Sequence, residues 1–182
     1  MTERISTVTR VTEHTEVKVV LRIAGSGQAA IQTGVPFLDH MLALFAHHGT
    51  FDLEVAARSN ETYSSSLLED VAFCLGLALD KALGDRQGIA RSGHAFAPAE
   101  ESLVRAVADI SGQSFLVYRV RASPALPGAA DPAAVEVFWT AFVSQARLNL
   151  HIEQLYGGEG LPVLEAVFRA ASRALSDACR VP

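Results

Sequence analysis

The fold class predicted by this sequence is α+β, two βββαβα halves in one domain spanning residues 1–182, and three observations predict it. Short β-branched runs with period-two alternation lead into apolar patterns of helical period, once and then a second time. The two halves, about 1–86 and 87–182, also match in sequence. Offset by 96 positions, Leu68, Glu69, Val71, Ala78, Leu79 and Ala82 meet Leu164, Glu165, Val167, Ala174, Leu175 and Ala178, the mark of an internal duplication. Finally, 182 residues of which 49% are hydrophobic suffice to bury a core without staples.

Ile5 to Val11 alternates, Val17 to Ile23 is β-branched, and Gly25-Ser26-Gly27 turns the chain into a third strand ending near Gln32. The stretch from Thr33 to Leu53, TGVPFLDHMLALFAHHGTFDL, reads as a capped amphipathic helix delivered into a strand. Leu38, Met41, Leu42 and Phe45 form its core stripe, while His40, Leu44 and His47 lie along another side, which puts an imidazole where a ligand can reach it. Phe51 to Ala57 alternates as a strand. Ser64-Ser65-Ser66 opens a second helix, whose apolar face Leu68, Val71, Leu75, Ala78, Leu79 and Ala82 runs to a stop at Gly84.

The second half repeats the plan. A short strand near Gly93 to Phe96 leads to Leu103–Val107, and Ser111-Gly112 turns that strand into Phe115–Val120 as a hairpin. Ser123 to Pro132, rich in Pro, Gly and Ala, is expected as a mobile loop. Asp131-Pro132 then supplies N-cap and first-turn proline to a helix whose Val135, Phe138, Trp139 and Phe142 face the core. Leu148 to Gln154 is a strand, the glycine-rich segment from Tyr156 to Gly160 is a loop, and Pro162 starts a last helix with Leu164, Val167, Phe168, Ala171 and Leu175 apolar.

A formal net charge of −5 with no dense basic run argues against nucleic acid or an anionic membrane as partner. Cys74 and Cys179 stand inside helical patterns without a metal-type spacing, which suits a reducing compartment. No apolar run follows Met1-Thr2-Glu3-Arg4 and none is long enough to span a bilayer, so the expected location is the cytoplasm.

The Thr33–Leu53 stretch resembles the signature of the imidazoleglycerol-phosphate dehydratase family, "TGxxFLDHML…HGxFDL", and the resemblance runs from Arg4 to Ala178. It implies four helices packed between two four-stranded mixed sheets, a lyase of histidine biosynthesis, and a paired manganese site. In that family two helices begin HHxxE, so that a histidine and a glutamate converge on one ion while the neighbouring histidine serves a second. Here the first copy reads Ser65-Ser66-Leu67-Leu68-Glu69 and the second Leu161-Pro162-Val163-Leu164-Glu165. Both glutamates match and all four histidines are replaced, while His40 and His151 match the family's two remaining histidine ligands. Serine, leucine and proline do not replace imidazole, so the expectation is that the paired site is lost, with no metal ligands and no cofactor.

Other departures from the family pattern concern the substrate. His14, in Arg10-Val11-Thr12-Glu13-His14-Thr15, stands where the family has an active-site glutamate, and Gln113 replaces an arginine that grips phosphate. Arg91 matches a phosphate-site arginine, and Glu100-Glu101 resembles the acidic pair after "GxxxxxPM". The expected catalytic set is therefore His40, Glu69, His151 and Glu165, with Arg91, Glu100, Glu101 and His14 binding substrate.

Simpler readings stand beside these. Ser66 to Glu69 fits a capping box, Glu165 fits a first turn, His47 and His48 suit a helix C-terminus, and His94 carries no pattern. The leading functional expectation is a divergent, metal-independent lyase or isomerase acting on a small polar or phosphorylated molecule. A non-catalytic paralogue used for binding or assembly comes second, and authentic imidazoleglycerol-phosphate dehydratase activity third. The resemblance also implies a homo-oligomer, with a trimer favoured over the family's 24-subunit shell because the metals that join trimers are missing.

Overall fold

The computed structural model describes residues 4–60, 65–121 and 132–182. Strands β1 (Ile5–Val11), β2 (Thr15–Arg22) and β3 (Ala29–Gln32) are followed by helix α1 (Pro36–Gly49), strand β4 (Asp52–Ser59) and helix α2 (Ser65–Leu83). The second half runs β5 (Ser92–Ala99), β6 (Ser102–Asp109), β7 (Phe115–Arg119), α3 (Pro132–Ala146), β8 (Asn149–Tyr156) and α4 (Leu161–Cys179). Both halves are thus βββαβα. The segment expected as a mobile loop, apart from Pro132 at the start of α3, lies outside the described residues.

The two sheets have the same internal order, β1-β2-β4-β3 and β5-β6-β8-β7, each with one parallel pair at its edge. That pair is β3 with β4 in the first sheet and β7 with β8 in the second. In each case the intervening helix is the crossover that two parallel neighbours require. This corrects the hairpin expected across Ser111-Gly112: β6 pairs with β5 and β8, and β7 lies on the far side of β8. A glycine turn between two β-branched runs marks a change of direction. It does not say whether the chain folds back on its own strand or steps over the next one, and residues 110–114 are long enough to cross the two strand spacings, roughly 10 Å, from β6 over β8 to β7.

The helices lie between the sheets, α2 against β1 and β2, α4 against β5 and β6, with α2 packed on α3 and α1 on α4. Alternation decides which face of each strand they cover. Val17, Val19 and Leu21 of β2 and Val104, Ala106 and Ala108 of β6 are almost fully buried, while their neighbours face outward. Phe45, Phe51, Phe138, Trp139, Phe142 and Phe168 form one aromatic cluster fed by both halves. Centroids stand 5.2 Å apart for Phe45 and Phe51 and 4.9 Å for Trp139 and Phe168. Burial of these rings joins the repeats through α1, α3 and α4.

A close approach between helices is at Gly76 of α2. A Cβ there would stand 2.2 Å from the Phe142 carbonyl oxygen of α3, so only a residue without one lets the two backbones meet. Gly76→Ala is expected to lower the urea midpoint of the full chain, by an overpacking cost of about 1–3 kcal/mol. An unchanged midpoint would show that α2 and α3 do not approach this closely.

Candidate functional site

The geometry of the candidate site begins with the pairing of α1 and α4. His40 Nε2 meets Glu165 Oε1 at 2.8 Å, and eight residues further along α1 His48 Nδ1 accepts from the Arg173 guanidinium at 3.1 Å. Both pairs are separated by 125 residues, so the two helices run side by side in the same direction. Because the Glu165 carboxylate can only accept, the His40 ring nitrogen that faces it carries the proton. The His40 side chain is 50% exposed and that of Glu165 28%, so the pair sits at the surface, and the second imidazole nitrogen has no hydrogen-bond partner among the described residues.

The helix start that carries His40 is built differently from the expected cap. Val35 is the N-cap and its side chain makes no capping bond. Instead Asp39, in the first turn, accepts from the Thr33 amide at 2.9 Å and from the Thr33 hydroxyl. At the other end Thr50 takes the left-handed conformation (φ 53°), and its amide donates to the carbonyls of Ala46 and His47, swinging Phe51 into the aromatic cluster. His47 and His48 lie in the last turn of α1, as expected of groups that favour a helix C-terminus. Burial lowers the pKa of His48, and the nearby Arg173, His47 and Arg169 push it further down.

The other residues expected in the site are not gathered around this pair. Glu69 is exposed and is the fifth residue of α2, as Glu165 is of α4. Neither stands in a first turn, and Ser66 already lies inside α2, so the expected capping box is out of register and the cap itself falls outside the described residues. Glu69 makes no ion pair among the described residues, whereas its neighbour Asp70 is 9% exposed and held on both oxygens, by Arg10 Nε at 2.9 Å and by the Thr15 hydroxyl. His151 alternates with the buried Leu150 and Ile152, which puts it on the outer face of its sheet between Val107 and Val117. Arg91 is engaged by Asp109 at 2.9 Å. Glu100, Glu101 and His14 are exposed, His14 with Glu13 at 4.0 Å. Among the described residues no three His, Cys, Asp or Glu side chains come together to hold a metal ion.

The sequence model of the imidazoleglycerol-phosphate dehydratase family matches residues 33–175. The chain belongs to this family. Proteins named imidazoleglycerol-phosphate dehydratase from Syntrophobacter fumaroxidans, Geobacter metallireducens and Caldicellulosiruptor saccharolyticus are 43%, 42% and 40% identical to it. These matches cover 97%, 98% and 100% of this chain and 90%, 92% and 94% of theirs. The imidazoleglycerol-phosphate dehydratase of Staphylococcus aureus superposes with a TM-score of 0.87 at 31% identity, over 98% of this chain and 99% of its own. The Pyrococcus furiosus enzyme gives 0.83 at 28% identity, over 96% and 94%. For a member of the imidazoleglycerol-phosphate dehydratase family, this chain keeps the scaffold whole while Leu161 and Pro162 open α4 with side chains that have no ligating atom.

Asp39 and Asp70 are the features that sequence reading missed, each adjacent to a predicted site residue and each bound to a threonine hydroxyl. Thr33 and Asp39 stand six apart across a glycine and a proline, which is a usable local signal; Thr15 and Asp70 stand 55 apart and leave none.

The lowered pKa of His48 has a consequence for stability. The folded chain binds fewer protons than the unfolded chain below the imidazole's ordinary 6.5, so this contribution is present above about 6.5 and is lost as the pH falls beneath it. Between about pH 7.5 and pH 5.5 the urea midpoint of His48→Gln should drop less than that of the wild type. Parallel curves would show that His48 titrates alike in both states.

Proposed function

We propose that this chain is a lyase that removes water from imidazoleglycerol phosphate, and that it does so with His40 and Glu165 as its acid–base pair. The observation that carries the substrate is the identity of 40–43% to three relatives of that name across at least 97% of this chain. This moves the authentic family activity ahead of the divergent, other-substrate reading that the lost histidines suggest on their own. In the elimination a C–H bond breaks, its electron pair forms the new double bond, and the hydroxyl leaves as water with the proton that the resulting imidazolium returns. The His40–Glu165 pair can take this proton through the second imidazole nitrogen and stabilise the resulting imidazolium through the carboxylate. The half-exposed position of His40 leaves room for substrate against it.

As part of the same reading the paired manganese site of the family is not built. His40 and Glu165 satisfy each other directly, and Leu161 and Pro162 offer no donor at the positions of the second motif. A Lewis-acid ion contributes several kcal/mol to such a transition state, so turnover is expected roughly 10²–10³-fold below that of metal-loaded relatives. His151 and Glu69 complete the site from a neighbouring subunit in this proposal, since each faces outward in its own chain. The assembly is a trimer, residues 1–182 form one domain of two halves about 1–86 and 87–182, and the protein works in the cytoplasm. Among the described residues no helix is long and apolar enough to cross a membrane. A second reading, a non-catalytic paralogue, is favoured by one observation: Glu69 makes no ion pair among the described residues.

The purified full chain is to be assayed on imidazoleglycerol phosphate with added manganese and again after chelation. Slow turnover that survives chelation and vanishes in His40→Ala and Glu165→Ala is the expected result. Turnover abolished by chelation and restored by manganese, with two ions held per chain, would overturn the metal reading and keep the substrate. Substrate binding without turnover would promote the second reading.

A further inference from the structure

We infer that Asp39 is a positioning residue for His40, acting through Thr33; the inference rests on the reading that His40 and Glu165 form the acid–base pair. α1 starts without a side-chain cap at Val35, and the first N–H groups of a helix left without acceptors fray. This first turn is fastened from inside the helix instead. Asp39 Oδ1 accepts from the Thr33 amide at 2.9 Å and from its hydroxyl at 2.5 Å, and Thr33 Oγ1 in turn accepts from the Val35 amide at 3.2 Å. Thr33 is 2% exposed, and Gly34 between the partners adopts φ +76°, a conformation that suits glycine. Residues 33–39 therefore form a closed loop that ends one residue before His40.

His40 depends on that loop because little else holds it. Its ring is half exposed and Glu165, on a different helix, is its one hydrogen-bond partner among the described residues. The imidazole reaches Glu165 only if the backbone of the first turn stays where Asp39 keeps it. Asp39 works here as an acceptor. An asparagine carbonyl can take the same two hydrogen bonds without the charge, and an alanine can take neither.

The full chain is to be compared as wild type, Asp39→Ala, Asp39→Asn, Thr33→Val and Val143→Ala; Val143 is 2% exposed in α3 and serves as a variant that loses stability without touching the site. Two quantities are read: kcat and KM on imidazoleglycerol phosphate, and the nitrogen-15 shifts of the His40 ring, which report the tautomer fixed by Glu165. Asp39→Ala should lower kcat roughly 10–100-fold with KM little changed, and should remove the tautomer preference. Thr33→Val should do the same to a smaller degree, which keeps the inference testable if Asp39→Ala does not fold. Asp39→Asn should stay within about twofold of wild type, and Val143→Ala should keep both readouts while unfolding at lower urea. Wild-type kcat and ring shifts in Asp39→Ala would overturn the inference. So would an Asp39→Asn variant as impaired as Asp39→Ala, which would assign the effect to charge. If the wild type shows no turnover the proposed activity fails by itself, and the ring shifts alone decide the role of Asp39.

Discussion

α1 and α4 pack in the same direction over a shared bed of aromatic rings, and the His40–Glu165 pair and the join between the halves both follow from that contact. Trp139 touches Phe45 of α1 and Phe168 of α4, so the two helices are held at a fixed height and phase by burial. Once that phase is set, a residue on the outward side of α1 meets a residue 125 positions later on α4. The His40–Glu165 contact is therefore a consequence of core packing more than of attraction between the two groups. A half-exposed pair of this kind is worth little on its own.

The duplication is more exact in the backbone than in the chemistry. Both sheets share one strand order and both glutamates are the fifth residues of their helices. Yet aligning the core stripes Leu38, Met41, Leu42 and Phe45 of α1 with Val135, Phe138, Trp139 and Phe142 of α3 puts His40 opposite Val137, which is 43% exposed. Glu69 thus has no imidazole in the opposite half at the place equivalent to the one where Glu165 finds His40. The repeat supplies two equivalent scaffolds, and this chain has placed a hydrogen-bonded His–Glu pair on one of them.

Much of this was legible in the sequence because it is local. Alternation and helical periodicity located every strand and helix, and Pro36 and Pro132 stand at the starts of α1 and α3. What was not legible is long-range. The Ser111-Gly112 turn looks the same whether β7 pairs with β6 or passes over β8, and only the need of β8 for a parallel neighbour across α3 decides it. The meeting of His40 with Glu165 likewise depends on which helices share a layer, a fact that no window of sequence contains. Ser66 and Glu69 show the opposite error: a local motif that fits a cap was present, and Ser66 already lies inside the helix.

The outer face of the second sheet holds two of the histidines. In β5, β6, β8 and β7 the register sets His94 beside Val107, Val107 beside His151, and His151 beside Val117, one polar and apolar row across four strands. A row of this composition is too polar to be a core, and it mixes imidazole with half-exposed valine on one face. His151 lies on that row because an imidazole there keeps the period-two pattern that buries Leu150 and Ile152. A residue whose place is set by strand alternation, on the face away from its own helices, can reach the α1–α4 seam only when that seam belongs to another copy of the chain.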